Sequence, residues 1–323
     1  MSKQPAIRSE FLFCYDARMA NPNGDPDENR PRIDPVTKKN LVTDFRLKRT
    51  IRDYLKNSGQ KIFIRAEETD KGTLKRIEEL GGPYIHDEKI KTNDKKEKTV
   101  KVVDKEKLLS DHIDIRLFGI LFSVSDVTFK RVGPVQFAIG QSLNPVEEIS
   151  IRMTRIVPTS ENAQAGTFGE KSVLRYSFIV FHGFLNDITA KDTSLTEEDV
   201  SLMLKALWHG TNNLSTTSKY GQQSRLLLRL KYKEPLSYIG DLDRKISLSP
   251  SPSFHIKDLA KIEDLSQVTL DVSTLSSAIE SNASLLESVD YSEHSDLSCN
   301  NGGRLGKFSE VFTNKVRLLP ISG

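Results

Sequence analysis

Lys48, Arg49 and Arg52 fall within a short stretch, DFRLKRTIRDYL, whose apolar positions Leu47, Ile51, Tyr54 and Leu55 are spaced i, i+4, i+7, i+8. That spacing predicts a helix with one buried face. At 100° per residue the three cations project along the flank of the face, between core and solvent. Fixed cations near a helix start, beside N-terminal amides that carry partial positive charge, suit a polyanion such as RNA or a phosphate group. The bland alternative is a solvated flank, and composition alone favours it.

Other side chains carry weaker chemical signals. Asn23, Asp25, Asp27 and Asp34 are oxygen donors of the kind Ca²⁺ or Mg²⁺ prefers, but Pro22, Pro26 and Pro31 among them and the wrong ligand spacing favour a turn network at the helix head. His182 sits in an apolar run and reads as a hydrogen-bonded core residue rather than a general base. There is no Walker loop, no G-x-G-x-x-G after a strand, no H-E-x-x-H and no G-x-S-x-G. The sequence therefore predicts no metal and no cofactor. Cys14 and Cys299, the only two cysteines, give neither a disulfide framework nor zinc spacing.

The elements that must hold these residues are legible in outline. FLFCYDA, Phe11 to Ala17, reads as a strand, and the polar loop from Asn21 to Asp34 separates it from the helix capped by Thr43 or Asp44. Leu108 to Ser123 has helical spacing with Leu109, Ile113, Arg116, Leu117 and Ile120 in one sector, and Arg116 there needs a partner, for which Asp114 and Asp126 are the nearby choices. Val127 to Ile139 reads as strand, and Ile149 to Val157 as one arm of a ribbon. A polar loop follows with Phe168 as its isolated aromatic, flanked by Arg152, Arg155 and Lys171, a set able to meet bases. Ser172 to Leu185 is the strongest strand, Thr196 or Ser194 caps a helix with apolar Val200, Met203, Leu204 and Leu207, and Arg225 to Tyr232 is a further strand.

In order these give strand, helix, strand, strand, helix, strand, the split βαβ or ferredoxin-like order, which is also that of the RNA-recognition fold. The net charge of +3 is uneven: residues 241–300 carry 4 Lys/Arg against 11 Asp/Glu, so the basic character lies earlier in the chain. The Ser-rich 241–300 region reads as a small helical appendage, and the segment after it as one last pairing strand. Gly59 to Lys107 has too little apolar content for much core of its own and reads as an insertion. No signal peptide and no apolar run near the ~18 residues of a membrane span is present, so a cytoplasmic protein is expected.

The motif series Asn21-Pro-Asn-Gly-Asp-Pro-Asp, Pro31-Arg-Ile-Asp, Leu41-Val-Thr-Asp, Leu47-Lys-Arg, Asp114-Ile-Arg-Leu-Phe-Gly, Gly133-Pro-Val-Gln-Phe, Ile151-Arg-Met-Thr-Arg and His182-Gly-Phe resembles the backbone subunit of the CRISPR Cascade complex, a RAMP protein. It is most similar to the type I-B form, with type I-C as near alternative. The resemblance implies an α+β fold: a ferredoxin-like, RRM-like palm (residues 1–57 and 108–240), a thumb β-hairpin at about 149–172, a fingers insertion (58–107) and a C-terminal appendage (241–323). It implies copies stacked along one crRNA, with RNA contacts from Asn21, Asn23, Thr43, Arg46, Lys48, Arg49, Arg52, Gln136, Arg152, Arg155 and Lys171, and with Phe168 as a wedge of the thumb. Implied partners are the crRNA, target DNA by guide pairing, further copies, other Cascade subunits and a recruited helicase-nuclease that does the cutting. The alternative within the same superfamily is a ribonuclease, for which Glu161 and Glu170 are the only acids of the thumb loop.

Overall fold

The computed structural model describes residues 4–25, 27, 30–65, 84–91, 97–124, 127–154, 168–254, 258–313 and 315–321. The first half holds β1 (Ser9–Ala20), β2 (Lys39–Val42), α1 (Asp44–Asn57), β3 (Ile85–Lys91), β4 (Glu97–Val103), α2 (Lys105–Asp111), α3 (Ile113–Phe118), β5 (Gly119–Val124), β6 (Val127–Val132), β7 (Val135–Phe137), β8 (Gly140–Pro145) and β9 (Glu148–Thr154). Then come β10 (Phe168–Leu185), α4 (Asp187–Asp192), α5 (Glu197–Asn212) and β11 (Gln222–Tyr232). The remainder holds β12 (Ser247–Pro250), β13 (Val268–Asp271), α6 (Ser273–Ser281), β14 (Leu286–Glu293), β15 (Cys299–Asn301), β16 (Arg304–Gly306), α7 (Phe308–Val311) and β17 (Leu318–Pro320).

A mixed α/β architecture is built on one large sheet in the order β17-β14-β11-β1-β10-β8-β2, with β7 and β9 also pairing with β10. At its centre β1 runs antiparallel to both β10 and β11. The uninterrupted apolar run of β1 has a simple cause, since successive side chains enter opposite faces and both faces are covered. Phe11, Phe13 and Tyr15 pack under Leu47, Ile51 and Leu55 of α1 and Val200, Met203 and Leu207 of α5. Leu12 and Cys14 face the other way, with Tyr176, Phe178 and Val180 of β10, against Leu242, Ile262, Leu270, Leu275 and Phe308.

The second layer corrects the expectation of a helical appendage after residue 240. That region supplies edge strands β14 and β17 of the main sheet, a separate four-stranded sheet (β12-β13-β15-β16) and one two-turn helix, α6. Its serine-rich composition hid short strands that bury only a few apolar residues, among them Leu248, Val268, Leu270, Leu286 and Val289. The helical reading of Leu108 to Ser123 also needs correction. The helix breaks at His112 into α2 and α3, and Ile120 belongs to β5.

Arg116 does not pair with Asp114, and Asp126 lies outside the described residues. Arg116 forks onto Asp199 at the start of α5, with Nε and Nη2 donating at 3.0 and 2.7 Å. Asp114 is instead fully buried and accepts from Arg52 and from the backbone N–H groups of Phe63 and Ile64. A third small core unites Phe63, Tyr84 and Val103 with Leu108, Ile115, Ile120 and Phe129, so packing crosses the 107/108 boundary expected from the sequence. Among the described residues no helix is long and apolar enough to cross a membrane.

Candidate nucleic-acid interface

The interface begins at the cap of α1. Thr43 is the N-cap, its Oγ1 accepting from the Arg46 backbone N–H at 3.3 Å. Asn23 Oδ1 in turn accepts from both the N–H and the hydroxyl of Thr43, each at 2.9 Å. The polar loop thus supports the helix head, as Asp34 does its own turn by accepting from the Val36 and Thr37 amides. Among the described residues no cluster of His, Cys, Asp or Glu is arranged to hold a metal. Asn23 is therefore a strut, with its carbonyl already used.

The basic flank divides in two. Lys48 is buried, its ammonium donating to Asp44 at 3.0 Å and to Gln136 at 3.3 Å, and Arg52 pairs with buried Asp114 at 3.1 Å. Both cations lie over the Phe118 ring, at 5.6 and 5.1 Å from its centroid. Arg49 is different: its side chain is 61% exposed, with Asp53 at 3.6 Å on the solvent side. An expectation of three equivalent cations thus becomes two that are buried against carboxylates and one that is exposed to solvent.

Arg46 and Arg49 lie near a group that the sequence reading missed, Lys219 in the loop between α5 and β11. Burial, then the like charges of Arg46 and Arg49, pull the Lys219 ammonium down to about 8. Burial, with Arg49 adding like charge, also lowers Arg46. The loop is pinned on both sides: Lys219 Nζ donates to the Asn21 carbonyl at 2.6 Å, the Asn21 amide donates to Ser218, and Lys171 Nζ donates to the Thr217 carbonyl at 2.6 Å. Asn21, Arg46, Arg49 and Lys171, scattered in sequence, therefore border one loop. Like charges held together in a half-buried site are stabilised by an anion. The sequence signal for Lys219 was only a lysine in a polar run, SKYG, indistinguishable from a solvated loop.

On the opposite flank Lys48, Arg52 and Gln136 line a 450 Å³ groove with Phe45, Phe118 and the β5–β6 hairpin. Arg152 is exposed on β9, paired in register with Glu170 of β10. Arg155 and the side chain of Phe168, with Glu161, lie outside the described residues. His182 Nε2 donates to Glu10 at 2.9 Å, and Glu10 also accepts from Tyr232 and from the amides of Ile239 and Gly240. Burial alone would raise the Glu10 carboxyl; the hydrogen bonds from His182, Tyr232 and Ile239 outweigh it and hold it below its ordinary value. That network is a core clasp, as expected for His182.

Residues 7–273 match the family described as Cas7, CRISPR-associated protein Cas7. A Haloferax volcanii protein described as CRISPR-associated protein Cas7 is 31% identical over 305 residues, spanning 87% of this chain and 85% of its own. Among solved structures, a chain of a CRISPR RNA-guided surveillance complex in a pre-nicking state superposes with a TM-score of 0.51 at 12% identity, over 91% of this chain and 96% of that one. A chain of another CRISPR RNA-guided surveillance complex gives 0.47 at 13% identity, over 88% of each. The first likeness bears on the fold alone, whereas the sequence matches span most of the chain. On those matches, this chain belongs to the Cas7 family of CRISPR-associated proteins.

Proposed function

We propose that the chain is a backbone subunit of a type I CRISPR surveillance complex, of which several copies assemble along a crRNA and hold its sugar-phosphate backbone. The observation that carries this reading is the convergence of Arg46, Arg49 and Lys219 around one pinned loop in a member of the Cas7 family. Three neighbouring cations with few carboxylates among them have the chemistry of a phosphate track. The spacer bases are left for pairing with target DNA, and cleavage belongs to a recruited helicase-nuclease. Other subunits of the complex cap the assembly in the cytoplasm. The motif series favours type I-B over type I-C.

The strand order supports a ferredoxin-like palm. Taking β1, β8, β10 and β11 as its four strands, their spatial order is fourth, first, third, second, all antiparallel, with α1 and α5 on one face. The fingers in this reading are residues 58–107, and the thumb is the β9–β10 ribbon beyond Ser150 and Ser172. RNA contacts are assigned to Asn21, Thr43, Arg46, Arg49, Arg152, Arg155, Phe168 and Lys171, joined by Lys219. Asn23, Lys48, Arg52 and Gln136 keep the roles first proposed for them only at second hand, by holding the helix and its neighbours in place.

Purification of the full chain from cells that transcribe a CRISPR array tests the reading. The expected result is co-purified RNA of one repeat-derived population, lost steeply as salt rises. Protein free of nucleic acid, or bound to unrelated RNA without preference, overturns it. Incubating the guide-loaded protein with complementary RNA and Mg²⁺ is expected to leave that RNA whole; cleavage would transfer the chain to the ribonuclease alternative.

A further inference from the structure

The groove on the other flank of α1 is not a phosphate track, and its composition is unusual. Its lining includes four cations, Lys48, Arg52, Lys130 and Arg131, and no Asp or Glu. Lys48 and Arg52 are neutralised from behind by Asp44 and Asp114. Lys130 and Arg131 are exposed and have no carboxylate partner among the described residues.

Three apolar side chains converge on the same opening although water reaches them: Phe45 is 77% exposed, Leu121 71% and Val132 60%. Singly exposed apolar residues need no explanation; three facing one acid-free groove do. Phe45 precedes Lys48 by three residues and Arg52 by seven, so all three share one stripe of α1. The opposite wall is the β5–β6 hairpin. A Cβ on Gly119, whose φ is +76°, would lie 2.3 Å from the Arg131 carbonyl oxygen, so only glycine fits where its two strands close.

An exposed aromatic plate beside unneutralised cations has the recognition chemistry of a nucleotide: the ring stacks a base of any identity, and the cations take its phosphate. An apolar segment of a second copy is the competing occupant. It would strip water from Lys130 and Arg131 and return no counter-charge, which is costly. We propose that this groove holds one nucleobase of a bound single-stranded RNA, stacked on Phe45, with Lys130 and Arg131 on the adjoining phosphate; the proposal rests on the RNA-binding reading above.

The test uses the full chain and a short single-stranded RNA bearing 2-aminopurine, compared with the same RNA carrying abasic sites. Phe45→Ala is expected to weaken binding of the intact RNA about tenfold, with the salt slope unchanged, while leaving affinity for the abasic RNA as it was. Quenching of 2-aminopurine is expected with the wild type and with Phe45→Trp, and to be lost with Phe45→Ala. Lys130→Ala with Arg131→Ala is expected to lower the salt slope by about 0.7, as loss of the neutralisation of one single-strand phosphate requires. If Phe45→Ala binds and quenches like the wild type, the groove assignment falls and the RNA-binding function stands. If the wild type itself retains no RNA, the functional reading falls first. If Phe45→Ala keeps its RNA but loses self-association in sedimentation, the groove belongs to a second copy and the proposal is overturned.

Discussion

At the scale of the residue, what separates a binding cation from a structural one is whether it is buried against its carboxylate or left in water beside it. Arg52 pairs with Asp114, which has no exposure to solvent, while Arg49 faces water in an exposed pair with Asp53 that solvent screens. Arg52→Glu would set two carboxylates together in the core and is expected to cost about 3–5 kcal/mol, seen as a lower urea midpoint. Arg49→Glu is expected to leave the midpoint within about 0.5 kcal/mol and to weaken RNA binding several-fold at low salt, less at high salt. Loss of RNA binding by Arg52→Glu would for that reason say nothing about contact.

Lys219 makes a pH prediction with a definite sign. Its ammonium ionises at about 8 in the folded chain, below the ordinary 10.5. Between those values the unfolded chain holds a proton that the folded chain has lost, so the stability of the RNA-free protein rises with pH across that window. A phosphate beside Lys219 favours the ammonium, so RNA binding takes up a proton and weakens as pH climbs above about 8. Binding isotherms at constant ionic strength from neutral to alkaline pH are expected to show this fall, and Lys219→Arg, always charged, is expected to flatten it. An unchanged dependence in that variant would remove Lys219 from the site.

At the scale of the element, the helix that carries the cations is aimed by a side chain twenty residues upstream. Asn23 holds both the amide and the hydroxyl of Thr43, and Thr43 caps α1. Asn23→Ala is expected to cost about 1 kcal/mol and to raise amide exchange in the first turn of α1, because the cap loses its anchor. Asn23→Asp keeps the acceptor and is expected to restore most of that loss. Arg116 acts in a similar way between elements, tying α3 to the N-terminus of α5 through Asp199, which also accepts from the Thr196 amide at 3.1 Å.

At the scale of the whole molecule, the main sheet is sealed on both faces, and the acidic, serine-rich end of the chain makes the second seal. Removing residues 241–323 would uncover Leu12, Cys14, Tyr176, Phe178 and Val180 and strip β11 of its partner β14. A chain ending at residue 240 is expected to aggregate, by light scattering, rather than to persist as a folded RNA-binding palm. Soluble, cooperative unfolding of that truncation would show the last quarter to be dispensable to the core.

The sequence alone determined the elements whose periodicity is strong: β1, α1, β10, α5 and β11 all stand where apolar spacing and caps put them, and the family was legible in motifs along the same stretch. Local physics suffices there, because burial on one or both faces writes its own period. The tertiary structure decided which polar groups meet. Arg116 with Asp199, Arg52 with Asp114 and Lys219 beside Arg46 join residues far apart in the chain, and no local pattern encodes such pairs. It also turned an apparent appendage into the second layer, since short strands with few apolar residues show their role only against the face they cover. Three cations that a helical wheel treats as equals thus have different tasks, set by which acids the fold brings behind them.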